Sequence, residues 1–365
     1  MFMLLGLFAC DTPKGYVIQA KLTGFPDSTL FYLDDLQSRL TVDSARLIGG
    51  QLRMEGSFSE EPCRMRFGAV LKSSIVFLDM MIGNEKITIS GDLSDFPYYV
   101  NVAGSKYHDQ YIDFEKVSLP YRLQQDSLLK MCRAMSAEER NTPRWIQAME
   151  TGKEISLRMD SVKTDYLFLH PDTYPSLVYL GQKMFDLSKD TVKMLFDQMS
   201  EELQSSSFAN PVRTYIQSPS IAVGDPFLDF EAEDQNGNRV RLSDFVGKEG
   251  KYLLLDFTHC WCNPCMVAAK EMRQMVDTYS DSLRIVSFSM DAKRDDWETS
   301  LQRDSVCWIS LWSDEQLNTQ AVSIPYQVRS YPTFFVIDPQ GVIIHKWIGF
   351  GPGFFEKNIG WLKNK

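Results

Sequence analysis

The sequence predicts a multi-domain chain: a C-terminal α/β domain at 220–365, a small antiparallel β-sandwich at 15–103, and a helical region with its linker at 104–219. Three observations lead there. The chain has 365 residues, long for one hydrophobic core. Short alternating strands recur at roughly 8–12-residue spacing before about residue 100. After about residue 220, apolar strand-like runs alternate with helical patterns, and a Cys-x-x-Cys pair stands at one strand-to-helix junction.

The N-terminal segment Met1 to Ala9 is apolar and ends in Leu7-Phe8-Ala9-Cys10. It resembles a lipobox, cut before Cys10, which is then lipidated. The basic segment of a secretory signal is missing, and a buried N-terminal strand is the alternative. On the lipobox reading, residues 1–14 are a signal remnant and tether. Acyl chains on Cys10 then hold the protein to a membrane. No other stretch approaches the roughly 20 apolar residues of a spanning helix.

In 15–103, Gly15 to Leu22 alternates apolar and polar, and Thr29 to Leu33 follows the turn Gly24-Phe25-Pro26-Asp27. Asp43 to Arg46, Gly49 to Leu52 and Ile87 to Gly91 add strands and turns. In 104–219, Tyr107 to Val117, Tyr121 to Met135, Thr142 to Leu169 and Leu187 to Met199 carry apolar residues at helical spacing, punctuated by Pro120, Pro143, Pro171 and Pro175. Their Met and Leu stripes read as core.

In 220–365, Asn236-Gly237 is a hairpin turn. Tyr252 to Phe257 is an apolar strand, Met266 to Tyr279 a helix, Arg284 to Met290 a strand and Asp295 to Asp304 a helix. Phe334 to Ile337 joins Val342 to Ile344 through the turn Asp338-Pro339-Gln340-Gly341. Pro352 to Leu362 is the closing helix. Cys307, between Val306 and Trp308, reads as a buried strand thiol.

The chemistry concentrates in Trp261-Cys262-Asn263-Pro264-Cys265. Backbone N–H groups at a helix N-terminus favour a thiolate, and a thiolate attacks disulfides. A second Cys-x-x-Cys or a matching Cys/His pair would suggest zinc. Neither is present. Asp256 lies six residues before Cys262, inside the apolar strand. Buried, it would hold its proton unusually tightly and could exchange one with Cys265. The alternative is a solvated carboxylate at an edge. Tyr331-Pro332-Thr333 leads into the next strand, where a cis X-Pro bond is tolerated.

From about Val223 to Lys365 the chain resembles the thioredoxin-like domain of the TlpA/ResA group of extracytoplasmic thiol–disulfide oxidoreductases. Val223-Gly224-Asp225-Pro226-Phe227-Leu228-Asp229-Phe230 matches the group's leading motif, and the hairpin, Val240 to Phe245, the Cys-x-x-Cys and Pro332 follow in order. The resemblance implies that Cys262 is the exposed nucleophile and Cys265 the buried resolving thiol. It implies that Pro332 is a cis-proline packed against the disulfide, with substrate contacts at Trp261, Pro264 and Tyr331. The region at 15–103 resembles the uncharacterised β-rich domain found ahead of such domains in bacterial lipoproteins.

Several residues depart from the group. Asn263-Pro264 replaces the usual Gly-Pro or Glu-Pro. Asp256 matches the buried aspartate of thioredoxin itself, where TlpA-like domains often have Asn. Thr258-His259 replaces Trp-Ala. Cys260 puts a third thiol beside the site, to pack, to interfere in redox exchange, or to bind metal. Peroxiredoxins share the fold, but their peroxidatic cysteine follows a threonine by three residues, where this chain has Trp261. Leu254 stands in place of their proline.

The expected function is a lipid-anchored, periplasmic or cell-envelope thiol–disulfide oxidoreductase. It would reduce protein disulfides with electrons from a membrane thiol–disulfide donor and need no soluble cofactor. Alternatives are a redox-silent binding scaffold, or a copper(I) chaperone using Cys260, Cys262 and Cys265. A net charge of −10 argues against nucleic acid as a partner. Cys63 and Cys132 could pair, but spacing does not decide it.

Overall fold

The computed structural model describes residues 15–72, 74–313 and 316–364. Cys10 and the tether at 1–14 lie outside them. The chain divides into two compact units. Of the described residues, one holds those up to Tyr179 together with Gln198–Leu203; the other holds Leu180–Asp197 and those from Gln204 onward.

The first unit opens with eight strands: β1 Tyr16–Thr23, β2 Leu30–Asp35, β3 Thr41–Arg46, β4 Gln51–Gly56, β5 Cys63–Val70, β6 Ile75–Ile82, β7 Lys86–Asp92 and β8 Asn101–Ala103. They form two four-stranded sheets, ordered β4-β1-β7-β8 and β3-β2-β5-β6. Alternation does what the sequence implies. Tyr16, Ile18, Ala20 and Leu22 of β1 point inward while Gln19, Lys21 and Thr23 face out. Both sheets contribute to one core, where Phe31 stacks on Phe67 with centroids 4.8 Å apart. Pairing is antiparallel except between β1 and β7, which run parallel. Cys63 and Cys132 are both free thiols, so the disulfide considered for them is not formed. The Cys63 thiol instead donates to the Glu60 carbonyl at 3.2 Å.

The helical region comprises α1 Lys106–Lys116, α2 Leu119–Ala134, α3 Pro143–Leu169, α4 Tyr174–Lys183, α5 Lys189–Asp197, α6 Glu201–Ser205 and α7 Asn210–Gln217. The Ser105 hydroxyl caps α1, accepting the His108 N–H at 3.2 Å. Proline lies in the first turn of α2, α3 and α7, where its missing N–H has no intrahelical partner to lose. The region is shared between the units: α5 and α7 belong with the second.

The second unit continues with β9 Glu231–Asp234, β10 Arg239–Arg241, β11 Tyr252–Thr258, α8 Asn263–Thr278, β12 Leu283–Ser289, α9 Arg294–Arg303, β13 Ile309–Trp312, α10 Gln316–Ser323, β14 Thr333–Ile337, β15 Ile343–Ile348 and α11 Phe354–Ile359. Its seven-stranded sheet is ordered β10-β9-β13-β12-β11-β14-β15. The β11, β12 and β13 strands are parallel neighbours, while β14 runs antiparallel to β11. Strand β11 lies inside the sheet with both faces covered, which is why it reads as a continuous apolar run. Leu253, Leu255 and Phe257 enter the core on one face; Leu254 joins α8 and α11 on the other. Gly237 takes φ +81° in the β9–β10 hairpin, as the Asn-Gly turn requires.

Cys307 corrects the sequence reading. It is exposed rather than buried. Strand β13 begins only at Ile309, and Trp308 rather than Cys307 points into the core.

Candidate active site

Strand β11 ends at Thr258 and the chain turns at once into α8, whose N-cap is Cys262. Pro264 occupies the first turn, so the helix starts at Asn263, three residues before the sequence pattern placed it. The Cys265 N–H donates to Cys262 Sγ at 3.2 Å. Cys262 and Cys265 form a disulfide with Cα atoms 5.2 Å apart. Cys262 is half-buried and Cys265 is 4% exposed. Trp261 stands out at 70% exposure, and Asn263 and Pro264 are exposed beside it. A nucleophile at a helix N-terminus, reachable by a partner and backed by a second thiol out of reach, is the arrangement that disulfide exchange needs.

Register places the other residues. Phe257 pairs with Thr333, so the loop leaving β11 and Pro332 entering β14 come off the same end of paired strands. The Tyr331–Pro332 peptide is cis, and Pro332 is buried with its carbonyl accepting the Gly349 N–H at 2.8 Å. The His259 and Tyr331 rings lie 5.7 Å apart, joining the two loops.

Asp256 is 2% exposed, so it is not a solvated edge carboxylate. It shares the α8 side of β11 with Leu254, the face packed by Ala268, Ala269 and Met272 of α8. Trp308 Nε1–H donates to Ser287 Oγ at 2.8 Å, and the Ser287 hydroxyl donates to Asp256 Oδ2 at 3.0 Å. Oδ1 has no hydrogen-bond partner. Burial pushes the carboxyl from 3.8 up to about 7, against the smaller pull of the Ser287 bond. A carboxyl held there can give or take a proton near neutrality.

Cys260 is fully buried. Its N–H is shared by both oxygens of Asp291, at 3.1 and 3.0 Å, and its carbonyl accepts Arg303 Nη1–H at 2.8 Å. Burial first, then the Asp291 charge, push the Cys260 thiol up, while Arg303 acts the other way. Asp291 and Arg303 were not found from sequence. They lie far along the chain, and the only signal was polar Ser289 and Asp291 closing an apolar strand. Among the described residues, no group of three or more His, Cys, Asp or Glu is placed to hold a metal ion. No helix among them is long and apolar enough to cross a membrane.

Residues 223–346 match the family model described as AhpC/TSA family, and residues 16–111 match a domain of unknown function, DUF4369. The thioredoxin-like protein YneN of Bacillus subtilis is 27% identical over 136 residues, 37% of this chain and 76% of that protein. The thiol-disulfide oxidoreductase ResA of the same organism is 31% identical over 130 residues, 34% of this chain and 66% of that protein. Among solved structures, the thioredoxin domain of a thiol-disulfide oxidoreductase from Bacteroides vulgatus is 25% identical, with 38% of this chain and 96% of that chain covered and a TM-score of 0.35. A putative thiol:disulfide interchange protein DsbE from Chlorobium tepidum is 28% identical, with 40% and 99% covered and a TM-score of 0.35.

Proposed function

We propose that the chain, whose residues 223–346 match the AhpC/TSA family model, is an extracytoplasmic thiol–disulfide oxidoreductase that reduces protein disulfides. The observation that carries the reading is the Cys262–Cys265 pair at the start of α8, one sulfur accessible and one buried, above an aspartate poised near neutrality.

The cycle starts from the dithiol. The Cys262 thiolate, favoured by the helix N-terminus and the Cys265 N–H, attacks one sulfur of a substrate disulfide. A mixed disulfide forms, and the other substrate sulfur leaves as a thiolate and takes a proton. Cys265 passes its proton to the Asp256 carboxylate and attacks Cys262 Sγ. The second substrate thiol departs and the Cys262–Cys265 disulfide remains. Two electrons have moved from the protein to the substrate. A membrane thiol–disulfide donor returns them, with no soluble cofactor. Trp261 and Pro264, exposed beside Cys262, and Tyr331 next to Pro332 supply the surface on which an extended substrate lies. Cys10, acylated, holds the protein at the membrane of the cell envelope.

The test is insulin reduction by the dithiothreitol-reduced full chain. Wild type is expected to accelerate precipitation of the insulin B chain, and Cys262→Ser to give only the background rate. Equal rates for the two would overturn the reading. The equilibrium with glutathione then sets direction: a potential near about −270 mV fits a reductase, one near about −120 mV an oxidant.

A further inference from the structure

The mechanism above leaves one buried carboxylate unused. Asp291 follows β12, is 2% exposed, and bonds the backbone of the loop that leads to the nucleophile. Its two oxygens share the Cys260 N–H, and Ser289 Oγ–H donates to Oδ2 at 2.7 Å. The Asp291 N–H donates back to Ser289 Oγ at 3.2 Å, and its carbonyl accepts the Trp312 indole N–H at 2.8 Å. Oδ1 also lies 3.1 Å from His259 Nδ1. That nitrogen is in turn 3.1 Å from the Trp261 N–H. It accepts from Trp261 only without a proton, and donates to Asp291 only with one. The Cys262 N–H then closes the turn onto the His259 carbonyl at 3.1 Å.

We propose that Asp291 is a positioning residue for the dithiol: its carboxylate anchors the loop from Thr258 to Cys262 and sets an acidic group on the Cys260 N–H, two residues before the Cys262 sulfur. The inference rests on the oxidoreductase reading of that sulfur. A buried anion there disfavours the thiolate and so the reduced state, because its field is weakly screened inside the fold. The other groups around this loop are His259, Cys260, Asp256 from β11, Cys265 from α8, Tyr331, and from α9 and its end Asp296, Arg303 and Asp304. The Arg303 guanidinium is engaged by both oxygens of Asp304, at 2.8 and 2.6 Å, which offsets its charge. No Arg or Lys sits on the Asp291 carboxylate among the described contacts; its donors are the Cys260 N–H and the Ser289 hydroxyl, with His259 Nδ1 3.1 Å from Oδ1.

Two substitutions in the full chain test this with opposite signs. Asp291→Asn keeps an acceptor for the Cys260 N–H and removes the charge. It is expected to speed iodoacetamide alkylation of Cys262 in the reduced protein below neutral pH by about three- to tenfold. It is expected to shift the glutathione equilibrium toward the dithiol by a similar factor, tenfold being about 30 mV. Ser289→Ala keeps the charge and strips a hydrogen bond that disperses it. It is expected to move both readouts the other way, by a smaller factor. Loss of packing alone would not produce opposite signs. If both variants leave the alkylation profile and the equilibrium unchanged, or move them together, the proposal fails. Should wild type refuse to exchange with glutathione, the oxidoreductase reading falls instead, and the alkylation profile, which needs no turnover, still decides on Asp291.

Discussion

Asp256→Asn gives the sharpest test of the buried acid. Burial takes the carboxyl from 3.8 to about 7. One pH unit corresponds to about 1.4 kcal/mol, so ionising this group inside the fold is harder than in the unfolded chain by about 4 kcal/mol. The folded state keeps the proton to higher pH than the unfolded state does. Stability from this residue is therefore complete below 3.8, falls as pH rises toward about 7, and is level above that. Asparagine cannot ionise. It still accepts from Ser287 but leaves amide hydrogens without acceptors, a pH-independent loss of about 1–3 kcal/mol. That loss cancels when two pH values are compared. The stability of the variant relative to wild type is expected to rise by about 4 kcal/mol between about pH 4 and about pH 8. Urea unfolding of the oxidised chain, followed by tryptophan fluorescence, measures it, because six of the seven tryptophans follow residue 260. Parallel pH profiles for the two proteins would refute the claim that Asp256 is held protonated by burial.

Other expectations are narrower. Cys265→Ala should accumulate mixed disulfides through Cys262, seen on non-reducing gels, because nothing remains to resolve them; a clean monomer with substrate present would contradict the assigned roles. Cys260→Ser should leave the reduction potential unchanged within error, since its sulfur is buried and lies 3.6 Å from Arg303 Nη1; a shift of about 30 mV, worth about 1.4 kcal/mol, would show that it takes part in the exchange. Trp297→Ala should destabilise the second unit by about 3–5 kcal/mol in urea, because the ring is buried, stacked on Trp312 at 5.7 Å and bonded to Ser310 Oγ at 2.9 Å. A loss under about 1 kcal/mol would mean that the stack is dispensable.

What sequence made legible is whatever is local. The β11 strand, the Cys-x-x-Cys turn and the Asn-Gly hairpin each state their geometry within a few residues. Asp256 was conspicuous because an acid in an apolar run has few innocent explanations. Asp291 and Arg303 were not, because they reach Cys260 from 31 and 43 residues away, and no local pattern encodes such a pairing. Helix α4 has no separate signal in the sequence because Pro175 reads there as punctuation, although it falls in the first turn of α4, where proline is tolerated. The helical periodicity of α5 shows that it has an apolar face. It does not show that the helix belongs with the redox domain rather than with the helices before it. Cys307 misled because apolar neighbours suggest burial, whereas the facing of a side chain depends on where the strand starts.

The division of the chain has a consequence for its synthesis. The polypeptide leaves the first unit after Tyr179, returns to it after Asp197, and leaves it again after Leu203. A chain made from its N-terminus at about 5–20 residues per second needs about 1–5 s to go from Tyr179 to Leu203. For that interval the first unit exists without its last piece. The opening stretch of the second unit, Leu180–Asp197, waits far longer, because β11 and α8 have yet to be made. Helix α5 thus emerges with an apolar face and no partner. Whatever keeps that face from sticking elsewhere has to act before the redox centre exists.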